Sequence, residues 1–171
     1  MVVLRKVDLD EAREIAAGVE SGVCDLANLN APGQYVLSGE MAAMDELVEK
    51  LGRRAMRLPV SVPFHSSLLR EAGEQFALEL DKISFKDPAF PIACNADARL
   101  VTKGDQARDA LKRQFAGSVL WQQSMELLLH EGHRDFVEFG PKPTLSRMIV
   151  QIARAKECEV TSGAVTTSAD L

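Results

Sequence analysis

The chain has 171 residues, 46% of them hydrophobic and 26% charged, a composition that describes a folded globular protein and excludes a disordered or fibrous one. Twenty basic residues against 25 acidic ones leave a net charge of -5, and the basic residues are scattered, so nucleic acid is excluded as a main partner. No apolar run approaches the roughly 18 residues of a membrane span, and the amino-terminal segment turns acidic after one short apolar run, so no membrane anchor or signal peptide is expected and the expected compartment is cytoplasmic.

In chain order, MVVL is a short strand, and Asp8 with Glu11 three residues on has capping-box spacing. Ala12, Ile15, Ala16 and Val19 then recur at helical spacing. VCDLANLN and QYVLSG are two strands separated by an Ala-Pro-Gly turn signal. Ser38 is placed to cap a second helix with the stripe Met44, Leu47, Val48 and Leu51, and RRAMRLPV supplies a fourth strand. Strand, helix, strand, strand, helix, strand over residues 1–60 is the order of a ferredoxin-like unit, an antiparallel sheet with both helices on one face. Such a unit carries no function by itself.

Residues 61–155 have a different, α/β texture. Ser66 or Ser67 can cap a helix whose buried stripe is Leu68, Leu69, Ala72, Phe76 and Leu80. PAFPIACNAD contains a short strand, helices are predicted over 105–115 and 120–131, and RDFVEFGPKPTL reads as a buried strand leading to a helix over 144–155. Residues 156–171, rich in Thr, Ser, Ala and Gly without period, are expected to form a flexible tail.

His65 follows Pro63 and Phe64 and precedes the new helix, so it is presented at a junction of elements. Two readings fit it: a general base working near neutral pH, or a histidine that packs the helix start. Gln114, near a helix end, reads by itself as a surface glutamine. Asn28 and Asn30 alternate with apolar residues and so point the same way off their strand, or serve the following turn. His130 and His133, in HEGH, lack the HExxH spacing and suit a helix C-terminus, so no metal site is expected. Cys24, Cys94 and Cys158 form no CxxC pair and read as reduced packing residues. There is no G-x-S-x-G elbow, no GxGxxG and no P-loop in the sequence.

Four segments, ANLNAPGQYVLSG, LPVSVPFHSSLL, LKRQFAGSVLWQQSMELLLHEG and FVEFGPKPTLSRMI, taken in this order over residues 1–152, resemble the malonyl-CoA:acyl carrier protein transacylase family and the related acyltransferase domains of polyketide synthases. The resemblance implies the C-terminal part of an α/β-hydrolase-like acyltransferase together with its inserted ferredoxin-like subdomain. It implies that His65 is the general base, that the main-chain carbonyl of Gln114 orients it, that Phe64 favours malonyl over methylmalonyl, and that Asn28 and Asn30 line the acyl-CoA cleft. Malonyl-CoA is then the substrate, acyl carrier protein the partner, and no bound cofactor is expected. The family keeps its nucleophilic serine in a GHSxG elbow that this sequence lacks, so the chain is expected to be a fragment, inactive alone and poorly soluble or oligomeric, with a separate N-terminal half as a possible second partner. The alternative is an inactive carrier-protein-binding module or a truncated remnant.

Overall fold

The computed structural model describes residues 1–167 and has the expected α/β character. Its first part comprises β1 (Val2–Arg5), α1 (Leu9–Ala17), β2 (Cys24–Ala31), β3 (Gln34–Gly39), α2 (Met41–Leu51) and β4 (Ala55–Arg57). The strands pair antiparallel in the order β2-β3-β1-β4, which is the ferredoxin-like arrangement. Alternation along the strands sorts the two faces. Val2 and Leu4 of β1 and Tyr35 and Leu37 of β3 join Ala12, Met44 and Leu47 of the helices in one core, while Val3, Ala27 and Val36 form a smaller cluster on the other face. Leu4, Leu37 and Met44 are almost inaccessible, and burying a side chain of this kind contributes about 1.5–3 kcal/mol.

The Asp8 side chain caps α1 by accepting from the Glu11 backbone N–H at 2.8 Å. Ser38, by contrast, does not cap α2. The β2–β3 ladder runs through Asp25↔Ser38 to Cys24↔Gly39, which commits Ser38 to the sheet and leaves Glu40 at the N-cap position. Strand β4 is shorter than its sequence run because a 3-10 turn, Gly52–Arg54, uses the residues before it.

The second part contains a 3-10 turn (Ser67–Leu69), α3 (Arg70–Asp81), a hairpin of β5 (Ile92–Cys94) and β6 (Arg99–Val101), α4 (Gly104–Gln114), α5 (Trp121–His130), β7 (Asp135–Phe139), α6 (Leu145–Ala155) and β8 (Thr161–Val165). Ser66 caps the 3-10 turn, not α3 itself. Of the stripe expected on that helix only Leu80 is deeply buried; Leu68 is exposed, and Phe76 packs its ring on Phe115 at 5.0 Å between centroids. Strand β7 is not buried either, with Val137 60% and Phe139 74% exposed, because β8 is its sole strand partner among the described residues. The expected flexible tail is therefore corrected in part: Thr161–Val165 pairs parallel with β7, and Ser162 Oγ donates to the Ser146 carbonyl of α6 at 3.1 Å. Residues 168–171 of that tail lie outside the described residues.

The two parts meet along β2. Val119 N donates to Ala27 O at 2.8 Å and Leu29 N donates to Val119 O at 2.9 Å, a parallel bridge on the strand edge away from β3. Ala31, at the end of β2, packs with Met125 and Leu129 of α5 and Ile149 and Ile152 of α6. Among the described residues no helix is long and apolar enough to cross a membrane.

Candidate active site

The loop after β4 carries Pro63, Phe64 and His65 toward the 3-10 turn. His65 has φ +57°, in the left-handed region that a residue with a Cβ adopts only under constraint. Constraint is present on each side. Phe64 N donates to Val62 O at 2.9 Å before it, and after it the Asp25 carboxylate accepts from Ser66 Oγ (2.7 Å), Ser67 N (2.7 Å) and Ser67 Oγ (2.8 Å).

The ring itself faces the end of α4, where Nδ1 lies 3.3 Å from the main-chain oxygen of Gln114. A carbonyl only accepts, so this contact puts the proton on Nδ1 and leaves the Nε2 lone pair free to take a proton. The distance is at the long end for a hydrogen bond. Gln114 is not the surface glutamine that its residue type suggests. Its Nε2 donates to the carbonyls of Gly117 and Ser118, both at 3.1 Å, and Ser118 Oγ donates to Leu26 O at 2.6 Å.

The other expected site residues are dispersed. Phe64 adjoins His65 and is 46% exposed, leaving its ring available to a ligand or to another polypeptide. Asn28 and Asn30, both half-buried, alternate with the buried Ala27, Leu29 and Ala31 in β2, whose pairing with β3 shifts register between Leu26/Asn28 and Leu29/Ala31. Among the described residues neither is bonded to His65; Asn28 is tied instead to Val119 through the strand bridge.

Asp25 is the residue that sequence reasoning missed. It lies 41 residues before Ser66, and no local spacing relates them. Burial pushes its carboxyl pKa up, but the Ser66 and Ser67 hydrogen bonds outweigh this and hold it below the usual carboxylate value, so the clamp is ionised at neutral pH. Beside it, burial together with the Asp25 and Glu46 carboxylates pushes the Cys24 thiol up to about 12, which makes it a poor nucleophile. His130 is exposed at the end of α5, and among the described residues no group of three His, Cys, Asp or Glu is gathered as a metal site.

The arrangement can accept a proton, but among the described residues no hydroxyl or thiol is hydrogen-bonded to His65. The hydroxyls of Ser66 and Ser67 donate to Asp25, and that of Ser118 to Leu26. Away from the histidine, an apolar cavity of about 220 Å³ opens between α5, α6 and β7, lined among others by Trp121, Met125, Phe139 and Ile149.

No protein-family model matches the chain. Its sequence is 36% identical over 160 residues to the malonyl CoA-acyl carrier protein transacylase of Staphylococcus aureus, a match covering 90% of this chain and 52% of that protein. Its fold is similar to the crystal structure of an acyl-carrier-protein S-malonyltransferase from Burkholderia pseudomallei, with TM-score 0.89, 31% identity, and coverage of 99% of this chain and 55% of that one. It is also similar, with TM-score 0.87, 28% identity, and coverage of 99% of this chain and 55% of that one, to a solved chain from a type II polyketide acyl-carrier protein in complex with its malonyl-transacylase. The chain thus spans about half the length of the curated relatives it matches, and the resemblance carried by the four motifs holds over 85–90% of it.

Proposed function

We propose that this chain supplies the general base and about half of the fold of a malonyl-CoA:acyl carrier protein transacylase, and that the nucleophilic serine comes from a segment outside these 171 residues. The observation that carries the reading is the Nδ1 contact of His65 with the Gln114 carbonyl, which leaves Nε2 as proton acceptor.

In the first half-reaction Nε2 takes the proton of the serine hydroxyl as its oxygen attacks the thioester carbonyl of malonyl-CoA. The carbon–sulfur bond breaks, the coenzyme A thiolate receives that proton, and malonyl-serine remains. In the second half-reaction Nε2 takes the proton of the carrier protein's phosphopantetheine thiol; the sulfur attacks the malonyl ester and the serine oxygen is reprotonated. The Gln114 carbonyl stabilises the imidazolium formed in each half. Phe64 crowds an α-methyl group, which favours malonyl over methylmalonyl by an amount of about 1 to 3 kcal/mol. Asn28 and Asn30 line the route by which acyl-CoA enters. Residues 1–60 act as the ferredoxin-like subdomain and 61–155 as the carboxyl-terminal part of the acyltransferase domain.

The similar chain that was solved in a complex of a malonyl-transacylase with its acyl-carrier protein supports the choice of acceptor. The exposed Val137 and Phe139 on β7 support the need for a second polypeptide segment that completes the sheet. The test is a mass measurement on this chain with malonyl-CoA, alone and with a separately expressed half bearing a G-x-S-x-G serine. A malonyl adduct on the added half that requires this chain, and is lost with His65→Ala, is the expected result. An adduct that forms without the chain, or survives His65→Ala, overturns the reading.

A further inference from the structure

Strand β2 holds chain neighbours of both partners of the His65–Gln114 contact. On the histidine side, a single oxygen, Asp25 Oδ2, accepts three hydrogen bonds from the two residues that follow His65. On the glutamine side, the next residue of the strand, Leu26, accepts from Ser118 Oγ, and the Ser118 and Gly117 carbonyls accept from the Gln114 side chain. Ala27 and Leu29 continue the attachment through the backbone of Val119. The ring comes from a loop and the carbonyl it faces from the end of α4, 49 residues apart, yet both are referenced to adjacent residues of one strand.

We infer that Asp25 is a positioning residue for His65, fixing the loop so that Nδ1 meets the Gln114 carbonyl and the imidazole keeps its proton on Nδ1. The backbone makes such a tie necessary. His65 is left-handed at φ +57°, a conformation that relaxes unless its neighbours are held. Ser66 is fully buried with its hydroxyl on Asp25, whereas Ser67 and Phe64 are exposed, so the carboxylate grips the one point of this loop that the core encloses. Charge matters as well as shape, because a carboxylate accepts all three bonds at once and does so more strongly than a neutral amide. Sheet and base are thereby coupled: a displacement of β2 moves the histidine and its acceptor together, which preserves their separation.

The inference rests on the proposed role of His65, and the test separates the two. In the 171-residue chain with nitrogen-15-labelled histidine, the three imidazoles are assigned through His130→Gln and His133→Gln, and the tautomer of His65 is read from its two ring-nitrogen resonances. The expected wild-type result is a neutral ring with its proton on Nδ1; a ring with its proton on Nε2 overturns the general-base reading itself. Asp25→Ala is expected to shift His65 to a mixture dominated by the Nε2–H form that a free histidine side chain prefers, and Asp25→Asn, which keeps shape and one acceptor, to restore part of the Nδ1–H form. Where Asp25→Ala loses its cooperative unfolding transition, Ser67→Ala decides, since it removes one bond at an exposed position and is expected to give a smaller shift in the same direction. A wild-type ring on Nδ1 that stays unchanged in the folded Asp25 variant, or in Ser67→Ala where that variant decides, overturns the positioning role alone and leaves the proposed function standing.

Discussion

His65 Nδ1 and the main-chain oxygen of Gln114 stand 3.3 Å apart, so the group that the imidazole meets is a peptide carbonyl and not a side chain. This makes the two residues unequal under mutation. In a transacylase reconstituted with a serine-bearing half, His65→Ala is expected to lower the rate of malonyl transfer by about a hundredfold or more, the usual contribution of a positioned base. Gln114→Ala keeps the carbonyl and loses only the side-chain bonds to Gly117 and Ser118, so a loss of about tenfold is expected. Steady-state rates for both variants check this, and equal losses would show that the side chain, not the carbonyl, is what matters.

Ser38 is fully buried in β3, and its hydroxyl has no hydrogen-bond partner among the described residues. Burial of an unpaired polar atom costs stability, so Ser38→Ala is expected to raise the unfolding free energy by about 1 kcal/mol. Urea denaturation measures it. A fall of the same size would show that the hydroxyl has a partner, for which a bound water is the natural candidate.

Glu46 accepts from the Lys50 ammonium, the Ser21 hydroxyl and the Ser21 and Glu20 backbone N–H groups, which together pull its carboxyl down to about 2 from 4.5. The folded value is the lower one, so the carboxylate stabilises the fold fully above about pH 4.5 and loses that contribution as the pH falls toward 2. Thermal melts across this window are expected to drop more steeply for the wild type than for Glu46→Gln. Parallel curves would mean that the contacts around Glu46 persist in the unfolded chain.

The edge of β7 away from β8 is unpaired among the described residues, and the strand's own Val137 and Phe139 are exposed. An apolar, unpaired parallel edge is a template for another chain. The 171-residue chain alone is expected to sediment as concentration-dependent oligomers, and the Val137→Lys, Phe139→Lys double variant to shift toward monomer. A monomeric wild type at high concentration would contradict this.

Sequence periodicity located most elements because their signals are local. The Asp8 cap, the Ala-Pro-Gly turn and the helical stripe of α2 each lie within one segment, and each appears where the residues place it. The errors fall where a distant partner decides. Ser38 has the chemistry of a cap but is claimed by the ladder with β2; the small residues of Thr161–Val165 have no pattern of their own and become a strand only because β7 offers an edge.

The same division runs through the candidate site. The Phe64-His65-Ser66-Ser67 run and the four motifs were enough to single out His65 as a candidate and to relate the chain to transacylases, since residue types and order survive in one dimension. That His65 is left-handed, that the Gln114 carbonyl faces its Nδ1, and that Asp25 holds the loop were decided only by the tertiary structure. Their partners lie 49 and 41 residues apart in the chain, and hydrogen-bond geometry acts over distances of about 3 Å in space whatever the separation in sequence.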